Sequence, residues 1–210
     1  MTAVMSGPDT LADPRTYGRV AHTDGPCAAL TRLWAATGPE TLPTGPGGHT
    51  LLPATAYPDG PGRSVLARVS TDDGELIACR VPDGAGTPAG IDWAAGIAAI
   101  RLGLAQRLLD RVARHLRGRS VAGTVTLNLP MVRGILADAA AGLAEASALI
   151  GPAPDADGLA RAHRALDETG RACLHLFGAA GLLADGPAGL VRVSELLADT
   201  YPPPTDLGGS

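Results

Sequence analysis

Proline and glycine divide this chain of 210 residues into two parts that cannot fold in the same way. Up to about residue 90, segments such as GPETLPTGPGGHTLLPATAYPDGPGR exclude long helices, because proline removes a backbone donor and glycine adds conformational freedom. Residues 91–200 carry apolar side chains at helical spacing with few such interruptions. We therefore expect a Pro/Gly-rich region at residues 1–90, a helical domain at 91–200 and a tail at 201–210.

A β-hairpin is the clearest element of the first region. Two runs of alternating side chains, residues 63–70 and 75–81, flank the turn Thr71-Asp72-Asp73-Gly74, which is typical of antiparallel strands. The strands before this hairpin are expected to be irregular. A short helix is compatible with residues 26–36, where CAALTRLWAA has apolar residues at helical spacing.

The first helix of the second region has the most regular pattern. We expect it to begin with Asp92 as its N-cap and to end at Gly118, because aspartate accepts hydrogen bonds from free amides and glycine commonly follows a helix. One face is apolar throughout: Ile97, Ile100, Leu104, Leu108, Val112 and Leu116. The arginines of the same segment predict a solvated face: Arg101, Arg107, Arg111, Arg114 and Arg117.

Three more helices are expected after the first. The second covers residues 128–150 with Pro130 in its first turn, where proline is tolerated. The third covers residues 159–177, with Asp155 or Asp157 as its cap and Gly178 as its stop, and the fourth runs from after Pro187 to about residue 199. Four amphipathic helices with short links are typical of a bundle. The predicted fold is mainly α, a four-helix bundle preceded by a small irregular β region.

Charge and cysteine usage exclude several classes of function. A net charge of −4 and a pI of about 5.7 argue against a nucleic-acid partner. Cys27, Cys79 and Cys173 lack metal-ligand spacing and do not suggest a disulfide framework. The N-terminus has no signal-peptide pattern, and no stretch is long and apolar enough to cross a membrane. We expect a cytoplasmic protein that binds neither nucleic acid nor membrane.

Two segments of the helical region resemble one known family. The run HLRGRSVAGTVTLNLPMVRGILADAAAGLAEASAL is similar to the C-terminal helical domain of acyl-CoA dehydrogenases, in which a long helix ends in Arg-x-x-Phe-Gly. Residues 119–123, Arg-Ser-Val-Ala-Gly, stand at this landmark. A second landmark, Phe-Gly-Gly-x-Gly, is matched by residues 177–181, Phe-Gly-Ala-Ala-Gly. The resemblance covers about residues 88–200.

The resemblance implies an FAD site. In the family the arginine segment meets the cofactor's pyrophosphate, and the glycine loop does so from a neighbouring subunit, so the members are dimers or tetramers. Guanidinium groups suit phosphate oxygens, and glycines let a backbone approach a ligand closely. The implied cofactor-binding residues are Arg119, Gly123, Phe177, Gly178, Ala179 and Gly181. The alternative is that Gly178 only caps a helix and Arg119 is a solvated cation at a helix end.

The catalytic base of the family has no counterpart at its two usual positions. One position would fall beyond Glu195, and the other falls on Trp93. The weak candidates nearby are Asp92 and Asp199, and Asp92 also fits an N-cap. The family's proteins are about twice this long, so the resemblance implies a truncated member whose first region is a remnant of the middle β domain.

Three hypotheses of function remain open. The chain is a flavin-linked oxidoreductase subunit that acts on an acyl thioester of CoA or a carrier protein, as a homo-oligomer or with a full-length acyl-CoA dehydrogenase-like partner. Alternatively, it is a small FAD-free enzyme of specialised metabolism, of the cyclase or isomerase type. The third hypothesis is a non-catalytic structural subunit.

Overall fold

The β region of this computed structural model is small and lies against the helices. The structure describes residues 13–38, 42–56, 63–151, 153–178, 181 and 186–204. A three-stranded antiparallel sheet has the order β2 (His49–Pro53), β4 (Gly74–Arg80) and β3 (Ser64–Thr71). The predicted hairpin is therefore confirmed, with a bulge between Val65 and Ala67. Two short parallel strands, β1 (Pro43–Thr44) and β5 (Thr87–Pro88), pair beside it.

The described residues form six α-helices. The two in the first region are α1 (Arg15–Thr23) and α2 (Pro26–Thr37). The four of the predicted bundle are α3 (Ile91–Arg117), α4 (Pro130–Leu149), α5 (Ala156–Phe177) and α6 (Ala188–Thr200). A short hairpin with a two-residue turn lies between α3 and α4 and consists of β6 (Ser120–Val121) and β7 (Thr124–Val125). The mainly α prediction is confirmed, and none of the described helices is long and apolar enough to span a bilayer.

Helix α3 is the central element of the core. Its whole predicted apolar face is buried, from Ile97 to Leu116. The same apolar cluster contains Leu30 and Leu33 from α2, and Leu51 and Leu76 from the sheet. Residues before and after position 90 therefore share one core, although the composition changes sharply there.

Helix α1 was not predicted, and its contact with α3 explains why. The two helices cross where Gly18 faces Gly103, and a Cβ added to Gly103 would lie 2.0 Å from the carbonyl oxygen of Gly18. A nine-residue helix has little stability of its own, so tertiary packing decides its formation. The sequence pattern of residues 15–23 alone could not reveal this close backbone approach.

The turn of the β3–β4 hairpin fixes the sheet to two helices. Asp73 accepts a hydrogen bond of 2.9 Å from the amide of Ala28, at the start of α2, so its carboxylate caps that helix from outside. The neighbouring Asp72 accepts from Arg107 and Arg111 of α3 at 2.6 and 2.7 Å. These two arginines were predicted to be simply solvated, which is wrong because each is partly covered and paired.

The starts of three helices test the predictions: that of α3 differs from the prediction, and those of α4 and α5 agree with it. Gly90, not Asp92, occupies the N-cap of α3, and Asp92 lies in the first turn with no capping hydrogen bond. There its negative charge still complements the helix dipole. Asp155 caps α5 by accepting from the amide of Gly158, and α4 begins at Pro130, both as predicted.

Candidate functional site

The contacts of α3 show that it runs parallel to α5, so both helices end on the same side. Arg101 of α3 meets His163 and Asp167 of α5, and further along the same helices His115 meets Phe177. The two sequence landmarks, residues 119–123 and 177–181, follow these two helix ends. We call the surface made by residues 115–125 and 175–178 the arginine end.

A single histidine connects the two landmarks. Nη1 of Arg119 lies 3.2 Å from Nε2 of His115, one turn earlier in the chain. The imidazole of His115 packs on the ring of Phe177, with centroids 5.0 Å apart and an interplanar angle of 45°. One chain therefore brings Arg119 and the Phe177-Gly178 segment together.

The glycine of the first landmark occupies a tight hairpin turn. Ala122 and Gly123 link β6 and β7 with φ of 49° and 79°, the left-handed conformation that a two-residue hairpin of this kind needs at both positions. Glycine adopts this conformation without a steric cost, whereas alanine does not. A Cβ at Gly123 would have no neighbour within 4 Å, so the backbone of this turn is open on the outside.

The second landmark combines an open glycine with a buried aromatic ring. Gly178 ends α5 with φ of 55° and ψ of −140°, and a Cβ there would also meet nothing within 4 Å. Phe177 is 7% exposed and belongs to the core, whereas the next residue, Gly178, is exposed. Gly181 is buried, and a Cβ there would lie 3.1 Å from that of Phe177. Ala179 lies outside the described residues.

The arginine end, together with Arg114 just before it on α3, carries exposed cations. Arg114, Arg117 and Arg119 are exposed, and none of them belongs to an ion pair among the residues that the structure describes. Exposed apolar side chains occur on the hairpin that follows α3 and at the start of α4: Val121, Val125 and Met131. Unpaired guanidinium groups beside bare backbone and apolar surface suit an anionic ligand with an uncharged part.

Comparison with known proteins identifies the fold. No family model matches the sequence, and no curated protein matches it. Three solved structures are similar to it: a glutaryl-CoA dehydrogenase from Mycobacterium smegmatis in complex with FADH2 (15% identity, TM-score 0.52), the ChsE4–ChsE5 complex from Mycobacterium tuberculosis (19%, 0.50) and butyryl-CoA dehydrogenase from Megasphaera elsdenii (15%, 0.50). The chain has an acyl-CoA dehydrogenase-like fold.

The matches cover most of this chain and about half of the other proteins. The aligned parts are 78%, 66% and 78% of this chain, and 57%, 45% and 60% of the respective structures. The resemblance read from residues 88–200 is therefore confirmed at the level of the fold. At sequence identities of 15–19%, this similarity establishes the fold and not a substrate or a cofactor.

The acyl-CoA dehydrogenase-like fold separates the two candidate bases from the arginine end. Asp92 lies in the first turn of α3, roughly 38 Å along the axis from Arg117 at a rise of 1.5 Å per residue. Asp199 lies near the end of α6, on the same side as Asp92, because the rings of Trp93 and Tyr201 meet edge to face with centroids 5.4 Å apart. Both carboxylates are exposed. We call this side the carboxylate end.

A large open cleft lies beside the carboxylate end. Its volume is about 840 Å³, and its walls consist mostly of glycine and proline from the turns at residues 44–48 and 82–89, with the segment 201–204 opposite. Arg80 and Asp83 are the charged residues on its lining. The hydroxyl of Tyr201 is hydrogen-bonded to the hydroxyl of Thr50 at 2.9 Å and to the amide of Leu51 at 3.0 Å. These bonds fix the segment that follows α6 to strand β2.

The sequence prediction missed a buried polar cluster in the middle of the fold. Arg101 is fully buried and donates to Ser194 of α6 (3.0 Å) and to His163 of α5 (2.7 Å), and it forms an ion pair with Asp167. The prediction of a solvated Arg101 is therefore wrong. Its position gave a signal, because it lies four residues after Ile97 and three before Leu104 on the buried face.

Burial determines the protonation of this cluster. His163 accepts from the guanidinium through Nδ1 and must be neutral, and burial together with the charge of Arg101 lowers the pKa of His163 to about 3. Its Nε2 is buried and has no hydrogen-bond partner among the described residues. Burial lowers the pKa of Arg101 as well, while the negative charge of Asp167 opposes that shift. All three guanidinium nitrogens of Arg101 are bonded within the protein, so the cluster has a structural role.

Proposed function

We propose that this chain is a flavin-linked oxidoreductase subunit, whose arginine end contacts the diphosphate of an FAD that it shares with a second subunit of the same fold. The substrate is an acyl thioester of CoA or of a carrier protein. The observation that carries the proposal is the link from exposed Arg119 through His115 to Phe177. This link brings the two landmarks with their open glycines, Gly123 and Gly178, to the same side of one chain.

The residues present fit the diphosphate part of the cofactor. The guanidinium of Arg119 has donors left over after its bond to His115, and phosphate oxygens accept such donors in pairs. Gly123 and Gly178 have no side chain, so a ligand reaches their backbone directly. Bound FAD would supply hydride acceptance, and the residues of this chain would hold and orient its phosphate groups.

We infer a second subunit because the described residues of the arginine end include neither a catalytic base nor walls that would enclose a substrate. Residues 117–125 of this surface are exposed, and both candidate bases lie at the carboxylate end. A group that removes a proton must reach within hydrogen-bond distance of its substrate. The base and the remaining walls of the site would therefore come from the partner, which is either another copy or a longer acyl-CoA dehydrogenase-like protein.

The visible absorption spectrum of the purified protein tests this proposal. We expect flavin absorbance when the chain is purified in complex with its partner, and a loss of bound flavin in Arg119→Ala. Removing one charged phosphate contact should weaken FAD binding roughly tenfold to a hundredfold. Arg164→Ala, which changes an exposed arginine of α5, is the control and should leave binding unchanged. Equal flavin content in both variants would contradict the proposal.

A pair of glycine variants tests the direct approach of the ligand to the backbone. Gly123→Asn keeps the left-handed turn, which asparagine tolerates, but places a side chain on the open surface. We expect it to reduce FAD binding. Gly84→Asn is its matched control, since Gly84 has a φ of 78° and equally free surroundings but lies on the cleft at the other end. A loss of FAD binding in Gly84→Asn alone would indicate that the cofactor binds in the cleft and not at the arginine end.

The cleft itself favours a second candidate function. A cleft of about 840 Å³, on the side of the fold that carries Asp92 and Asp199 although neither is among its lining residues, suits an FAD-free enzyme of the cyclase or isomerase type that takes a bulky intermediate. Turnover by a colourless preparation, lost in Asp92→Asn or Asp199→Asn, would support this function. Flavin in the purified complex would favour the first.

A further inference from the structure

The side chain of His115 contacts two residues outside α3, Phe177 and Arg119. It lies in the last turn of the helix, half-buried, with one face of its ring on Phe177 and its Nε2 facing Arg119. The ring contact with a buried residue fixes the imidazole to the core. The hydrogen bond then fixes the guanidinium to the imidazole.

The chemistry of the pair determines the form of the histidine. A guanidinium has only donors, so Nε2 of His115 must accept from Nη1 of Arg119. An imidazole that accepts at Nε2 is neutral and carries its hydrogen on Nδ1. A protonated ring would have no lone pair to offer and would repel the arginine.

We propose that His115 is a positioning residue. It holds the guanidinium of Arg119 beside the Phe177-Gly178 segment, in an orientation that favours binding of the diphosphate. The ligand part of this inference rests on the function proposed above, while the orientation of Arg119 does not. An exposed arginine otherwise samples many rotamers, and each binding event would have to order it. A held arginine has already lost that freedom, so less is lost when an anion binds.

The tautomer of His115 tests the orientation without any ligand. Two-bond proton–nitrogen NMR spectra of the full chain at neutral pH should show the Nδ1–H form for His115 and a change to the Nε2–H form in Arg119→Ala. His175, on the last turn of α5, serves as the internal control and should not change. An Nε2–H form in the wild-type protein would overturn the inference, whatever the protein binds.

Titration of the full chain with ADP tests the effect on diphosphate binding. His115→Phe keeps the aromatic contact with Phe177 and removes the acceptor for Arg119. We expect it to weaken ADP binding roughly twofold to tenfold, the cost of ordering one long side chain. His49→Phe makes the same change in an exposed histidine on β2, outside the arginine end, and should have no effect.

The double variant separates positioning from a general structural role. If His115 acts through Arg119, then His115→Phe should have no further effect on ADP binding in an Arg119→Ala background. Additive losses would overturn the inference, because they would show a separate contribution. If the wild-type chain binds neither ADP nor FAD, the proposed function fails, and the tautomer experiment still decides whether His115 holds Arg119.

Discussion

Arg101 and Arg119 lie 18 residues apart in the sequence, but their surroundings differ: the first is buried and the second is exposed. Arg101 is fully buried, and each of its three guanidinium nitrogens is bonded to a side chain of α5 or α6. Arg119 is exposed, and among the residues that the structure describes its side chain bonds to His115 and to no carboxylate. A buried arginine whose donors are all used stabilises the fold and is closed to ligands. An exposed one with unused donors contributes little to stability and is available to bind.

Replacement of the buried arginine should cause the largest loss of stability. Arg101→Met leaves Asp167 without its cation and Ser194 and His163 without their donor, so we expect the free energy of unfolding to fall by about 3 kcal/mol at neutral pH. Urea denaturation measures this. Arg119→Met is the matched control and should barely change the midpoint, and equal effects of the two substitutions would remove the distinction between the arginines.

A second variant keeps the experiment interpretable. If an unpaired carboxylate causes most of the loss, then Asp167→Leu added to Arg101→Met should recover part of the stability. A double variant no more stable than Arg101→Met would show that the loss comes from packing alone.

Acid should weaken the buried cluster of Arg101, His163 and Asp167. The pKa of His163 in the folded protein is about 3, below the usual value of 6.5, so the unfolded chain takes up the proton first as pH falls. The stabilisation is complete above pH 6.5 and declines from there toward pH 3. At pH 5 the loss is about 2 kcal/mol, at 1.36 kcal/mol per pH unit.

His163→Gln isolates this contribution. The glutamine can still accept from Arg101 through its amide oxygen but does not titrate. The stability difference between the two proteins, measured by urea denaturation from pH 7 to pH 5, should change in favour of the variant as pH falls. A pH-independent difference would show that His163 is not held in the neutral form.

The smallest expected effect is at the hairpin of the arginine end. Ala122 has a φ of 49°, which costs a non-glycine residue about 1 kcal/mol. Ala122→Gly should therefore raise the free energy of unfolding, measured by urea denaturation, by about that amount. A destabilised variant would indicate that the turn has a different conformation.

The sequence predicted the helices well wherever a long apolar face specifies them. Helix α3 has its predicted buried face from Ile97 to Leu116 and its predicted end at Gly118. Helix α1 was missed because its formation depends on the contact between Gly18 and Gly103, which no local pattern encodes. Asp92 was taken for an N-cap because aspartate prefers that position, but the chain enters the helix two residues earlier.

The candidate site could be predicted only in part. The two landmarks gave Arg119, Gly123 and Gly178, and the roles assigned to these residues stay predictions. The link through His115 was invisible, because it depends on α3 and α5 being parallel and ending together. Arg101 was misread because a run of arginines on a helix usually indicates a solvated surface, and only its spacing from Ile97 and Leu104 indicates burial.

Hydrogen exchange with and without FAD compares the two ends of the molecule most directly. In the complex that contains this chain, the proposed function predicts slower amide exchange at residues 119–123 and 175–178 when FAD is present, and no change at residues 44–48 and 82–89 around the cleft. Protection confined to the cleft residues, with none at the arginine end, would contradict it.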